Sequence, residues 1–144
     1  MKKIVEWILS IKTVSEANSR EHWAAKRKRH QTQKNHVDWA FVSSKIGLPG
    51  KIHVQLTRIS PRQLDYDNLV SSFKNIRDYV AACVVPTAVI FSVTIKGKRY
   101  KNAGHCDKGD SITWGYGQEK GKPLEYAVKI EIFDPMPIYD VRND

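Results

Sequence analysis

Between positions 69 and 83 the apolar side chains Leu69, Phe73, Ile76, Val80 and Cys83 recur at steps of four, three, four and three. That period matches one face of an α-helix and not a strand, so a helix is predicted over 68–83. Asp67 or Asn68 is placed to cap its start, because a short side-chain oxygen accepts from the first free backbone N–H groups. Asp65 lies too early for that role. Upstream, residues 51–57 alternate with period two and put Ile52, Val54 and Leu56 on one side, which predicts a strand. Residues 4–11 form a mostly apolar run bounded by lysines and predict a first strand. A helix is predicted to start at Asn18-Ser19, with Trp23, Ala24, Val37, Ala40 and Phe41 as its apolar positions. Residues 111–118 and 125–133 read as two further strands, joined across Gly121 and Pro123. The expected class is therefore α/β: a mixed four-stranded sheet with two main helices packed on it.

Length and composition narrow this picture. At 144 residues the chain is expected to form a single domain, 1–144, with a real but modest core. A hydrophobic content of 41% and four Trp favour a globular fold over disorder. There is no apolar run long enough to span a bilayer, and the first seven residues are too short and interrupted for a signal peptide. Two cysteines, Cys83 and Cys106, set no disulfide framework. The expectation is a cytoplasmic protein without a membrane partner.

Charge adds a direction. Residues 1–58 carry twelve Lys and Arg against four Asp and Glu, whereas the remaining residues carry twelve against eleven. Lys26, Arg27, Lys28 and Arg29 form the densest basic run. No strong apolar face lies beside these charges, which disfavours a membrane surface and favours a phosphate backbone as the partner. With Arg20, Arg58, Arg62 and Lys120 they make up the expected DNA-contacting set. In the other half, Asp65 and Asp67 stand two residues apart just before the predicted helix. In extended chain, side chains at i and i+2 point the same way. Two carboxylates so placed repel unless a cation lies between them, and oxygen-only ligands suit Mg²⁺. The same residues are also the composition of an ordinary turn and cap. His105, Cys106 and Asp107 lack the recurrent spacing of a structural zinc site.

The wider string Leu64-Asp65-Tyr66-Asp67-Asn68-Leu69, then Phe73-Lys74 and Arg77-Asp78, then Gly109-Asp110 and residues 111–132, resembles the RusA-type family. Those proteins are Holliday junction resolvases and related endodeoxyribonucleases, many of them carried by phages and prophages of bacterial hosts. The resemblance is specific over 58–80 and 109–132, weaker at 18–23, and absent over about 84–106, which reads as an insertion. An accessory hairpin is expected there, over 87–103. The resemblance implies a RusA-like fold and a homodimer acting on branched double-stranded DNA in recombination and repair. It also implies a Mg²⁺ site made by Asp65, Asp67 and Asp110. Where the family prototype has a catalytic lysine, four residues after its second aspartate, this chain has Ser71. Lys74, with Asp78 one helical turn on to hold its ammonium, is the expected substitute. Lys120 is the other candidate. A catalytically inactive branched-DNA-binding module of the same fold is the alternative.

Overall fold

The structure is a computed structural model in which residues 1–84 and 112–135 are described. In chain order they form β1 (Lys2–Leu9), a 3₁₀ turn (Glu16–Asn18), α1 (Trp23–Ser44), β2 (Ile52–Ser60), α2 (Tyr66–Ser72), α3 (Lys74–Val84), β3 (Ile112–Lys120) and β4 (Ala127–Asp134). The sheet runs β1-β4-β2-β3. β4 is antiparallel to both β1 and β2, and β3 is parallel to β2. The architecture is mixed α/β with a four-stranded mixed sheet, as the periodicities predict. The inserted segment, including the expected hairpin at 87–103, lies outside the described residues together with Asp107 and Asp110.

The core follows from strand alternation. Ile52, Val54 and Leu56 of β2, Ile112 of β3, and Val128, Ile130 and Ile132 of β4 point to one face. They meet Val37 of α1 with Leu69, Phe73, Ile76 and Val80 of α2 and α3. Residues of the other register, such as His53, Gln55 and Glu131, are half-exposed. There a Cβ at Gly115 would meet the end of the Gln55 side chain directly across the ladder, which would have to turn aside. β3 and β4 are consecutive but not adjacent, since β4 sits between β1 and β2.

Three local expectations are corrected. The helix does not start at Ser19. Residues 16–18 make a 3₁₀ turn, and α1 begins at Trp23 behind His22, whose Nδ1 accepts from the Ala24 N–H at 3.2 Å. Trp23 itself is not a core position but is 69% exposed. The helix predicted over 68–83 is broken at Phe73, whose φ and ψ of −97° and 0° interrupt it. Ser72 Oγ donates to the Leu69 carbonyl at 2.6 Å, and the Phe73 N–H turns to the Val70 carbonyl at 3.1 Å, an i−3 bond that tightens the last turn of α2. The apolar stripe nevertheless runs through the break, with Phe73 wholly buried and stacked on Tyr116 at 5.9 Å. β2 extends to Ser60, which carries Arg58 into the interior.

Phe73 both fills the core and marks the break. Replacing it by Ala is expected to lower stability by about 3–5 kcal/mol, read as a lower urea midpoint at an unchanged slope; a change under 1 kcal/mol would mean that the site collapses around the smaller side chain.

Candidate functional site

The chain leaves β2 at Ser60 and is pinned at once to β3. Leu64 N–H donates to Gln118 Oε1 at 2.9 Å, and Gln118 Nε2 donates to the Leu64 carbonyl at 2.7 Å. Asp65 then caps α2, its extended backbone (φ −68°, ψ 168°) ending the loop and its Oδ1 accepting from Asn68 N–H at 2.9 Å. The cap is therefore Asp65, and neither Asp67 nor Asn68. The helix starts between the two aspartates, so the two-residue alternation of extended chain does not carry across them. Asp67 lies in the first turn of α2.

Asn68 has a different task. Its Oδ1 accepts from Ser15 Oγ at 2.5 Å and from Asn18 Nδ2 at 2.6 Å. One turn on, Ser71 Oγ accepts from the Ala17 N–H at 2.9 Å. Ser71, at the position of the family lysine, thus ties α2 to the 3₁₀ turn.

Asp67, Ser71, Lys74, Arg77, Asp78 and Tyr116 line one open cleft of about 460 Å³. Lys74 is exposed at the first position of α3. Arg77 was not singled out by the sequence, yet it is the best-oriented cation here. Its Nη1 donates to Tyr116 Oη at 3.1 Å and its guanidinium lies 5.1 Å from the centre of the Trp114 ring. Ser71 and Lys74 also line a neighbouring cleft of about 260 Å³ with Lys26 and His30. Lys26 and His30 in turn line a third, of about 390 Å³, with Trp23, Arg27, Lys34 and Tyr79. Shared lining residues make the three clefts neighbours along one trough, with Asp67 and Asp78 beside Lys74 and Arg77 at the α2 end, Glu16 in the middle and cations along α1.

The basic run divides once folded. Lys26 and Arg27 face the trough, and Lys28 is exposed on α1. Arg29 turns inward: its guanidinium pairs with Glu16 and with Glu21, each at 2.7 Å, and its side chain is 11% exposed. Arg58 is 7% exposed, with Nε donating to Thr13 Oγ1 at 3.2 Å and Nη1 to the Arg62 carbonyl at 2.7 Å. Burial pulls the Arg58 pKa below its ordinary value. Arg29 and Arg58 are thus corrected from DNA contacts to internal ties. Arg20, Arg62 and Lys120 are exposed but line none of these three clefts.

Asp110 lies outside the described residues. β3 begins at Ile112 opposite Ile52, at the end of the ladder remote from the Ser60–Lys120 pair where the chain leaves for Asp65. Among the described residues no three His, Cys, Asp or Glu side chains come together as a metal group. Asp65 and Asp67 supply oxygen donors of the kind a hard cation takes, although one Asp65 oxygen also serves the cap. Burial, with Asp38 beside it, pushes the Cys83 thiol up to about 12, which disfavours the thiolate. The chain matches no protein-family model and no curated protein sequence.

Two expectations follow from these contacts. Asn caps as well as Asp, so Asp65→Asn should leave thermal stability unchanged, whereas Asp65→Ala should lose about 1 kcal/mol; equal losses would show that the charge matters, and not the cap. Burial disfavours the Glu16 carboxylate, but bonds from Arg29 and His30 outweigh it and hold its pKa below the ordinary 4.5. Ionised Glu16 therefore contributes its full stability above pH 4.5, and loses it as pH falls through the lowered folded value. The urea-midpoint gap between the parent protein and Glu16→Gln should be widest near pH 7 and close toward pH 3; a gap independent of pH would place the effect in packing.

Proposed function

We propose that the chain is a Mg²⁺-dependent endodeoxyribonuclease for branched DNA, of the RusA type. The observation that carries this is the sharing of one cleft by Asp67 and Lys74, with that cleft running into the cationic face of α1. In this proposal Asp67 would take the ion in the cleft, with Asp65 and Asp110 as the further ligands that the resemblance implies, and the ion when bound would polarise a phosphoryl oxygen and acidify a water. Lys74 offsets the charge that develops on the phosphate. Arg77, oriented by Tyr116 and Trp114, presents its guanidinium as a second, better-fixed cation for phosphate oxygens. Lys26 and Arg27 follow the strand beyond the cut. The resemblance adds a homodimer, whose two sites would match the near two-fold symmetry of a four-way junction.

One observation favours the alternative, a DNA-binding module without catalysis. The hydroxyl at the position of the family lysine, Ser71, is taken up by the Ala17 backbone.

Cleavage of a synthetic four-way junction, with and without Mg²⁺, decides between them. The parent protein should cut only with Mg²⁺. Asp67→Asn should abolish cutting while binding stays equal or becomes tighter, and Lys74→Ala should slow it roughly 10²-fold. Tight binding of the junction by the parent protein with no cutting in Mg²⁺ would establish the non-catalytic module. Cutting by Asp67→Asn would remove Asp67 from the chemistry.

A further inference from the structure

We infer that the α1 end of the trough is a binding site for an unpaired polynucleotide strand, with Trp23 as the surface on which a base stacks. The inference rests on the nucleic-acid character of the proposed function, but not on its cleavage chemistry. Trp23, Lys26, Arg27, His30 and Lys34 lie at steps of three, one, three and four along α1, which places them on one face of the helix. Together with Tyr79 of α3 they wall the cleft of about 390 Å³, and no carboxylate is among its lining residues. Lys26 is half-exposed there, and Arg27 is exposed. Lys34 is partly offset by Asp38 at 2.7 Å. The indole is 69% exposed and has one ring neighbour, His22, with centroids 5.6 Å apart. A bare indole of that size on a helix surface leaves a large apolar area in water, which a stacked base would cover.

The shape of the cleft decides which form of nucleic acid fits. Bases in a duplex are already stacked on both faces, so an indole reaches them only at an end or after unpairing. The cleft is open and shallow, and its roughly 390 Å³ leaves room for one base against the indole. Cations beside an aromatic platform are the arrangement that binds single strands with little sequence preference. The trough then leads from Trp23 through Lys26 to Lys74. A strand held by its unpaired end at α1 would therefore be directed toward the Asp67 cleft.

Fluorescence anisotropy of the full chain without divalent ions tests this, using labelled 20-nucleotide oligo-dT, oligo-U and a blunt 20-base-pair duplex. Oligo-dT or oligo-U should bind more tightly than the duplex; a preference between the two names the sugar. Trp23→Ala should weaken single-strand binding roughly 5- to 100-fold, and Trp23→Phe should restore most of it. Circular dichroism on each variant confirms that this exposed position leaves the fold intact. Tighter binding of the duplex, or single-strand affinity unchanged in Trp23→Ala, overturns the inference. Because no cutting is measured, a protein that binds single strands through Trp23 but never cleaves a junction defeats the nuclease proposal alone.

Discussion

A short hydrogen-bonded seam joins the two functional halves of the molecule. Segment 15–18 meets the first turns of α2 through Asn68 and Ser71, by way of Ser15 Oγ, Asn18 Nδ2 and the Ala17 N–H. Each such bond is worth only about 1 kcal/mol net. What makes the seam effective is that Glu16, in the middle of the same turn, is bound by Arg29 at 2.7 Å and contacted by His30 at 3.1 Å. The turn is therefore fixed to α1 on one side and to α2 on the other. It reinforces the direct packing of α1 on α3, where Val37 meets the core and His30 also meets Asn75 at 2.8 Å.

The same seam changes how the charge of the N-terminal half should be understood. An excess of basic residues in sequence suggests a uniformly cationic surface. In the fold, Arg29 is spent on Glu16 and Glu21, and Arg58 on Thr13 and a backbone carbonyl. Burial opposes the Arg29 charge, yet its two carboxylate partners raise its pKa above the ordinary value. The cations left to solvent are fewer, with Lys26 and Arg27 on the trough and Lys28 exposed elsewhere on α1.

Much of the fold was legible because it rests on local repeats. The stripe from Leu69 to Val80 and the alternation of Ile52, Val54 and Leu56 each announce one buried face. The break at Phe73 was not legible, because it depends on one serine hydroxyl reaching a carbonyl three residues back. The assignment of the cap to Asp65 and not Asp67 turns on two residues, finer than any pattern of residue types resolves. His22 was missed as a cap because histidine is an uncommon one. The insertion of β4 between β1 and β2 is a choice of partners far apart in sequence, on which local pattern is silent. At the site, Asp67 was singled out by its spacing from Asp65, and Lys74 through resemblance. Arg77 stood in the motif without a role and Trp23 was read as a core position, because a cation's partners and an indole's exposure are set by neighbours far apart in sequence.

The parallel pairing of β2 with β3 has a consequence for how the protein is made. Ile52 pairs with Ile112 and Ser60 with Lys120, so each rung joins residues sixty positions apart. Closing so large a loop costs entropy before any rung repays it, which slows folding relative to a helical bundle of the same size. Tyr116, on the late strand, is the wall against which Phe73 stacks and to which Arg77 donates. On the ribosome, the Asp67–Lys74 cleft therefore stays unfinished until β3 emerges, and a growing chain exposes its cationic α1 well before it owns a complete cleft.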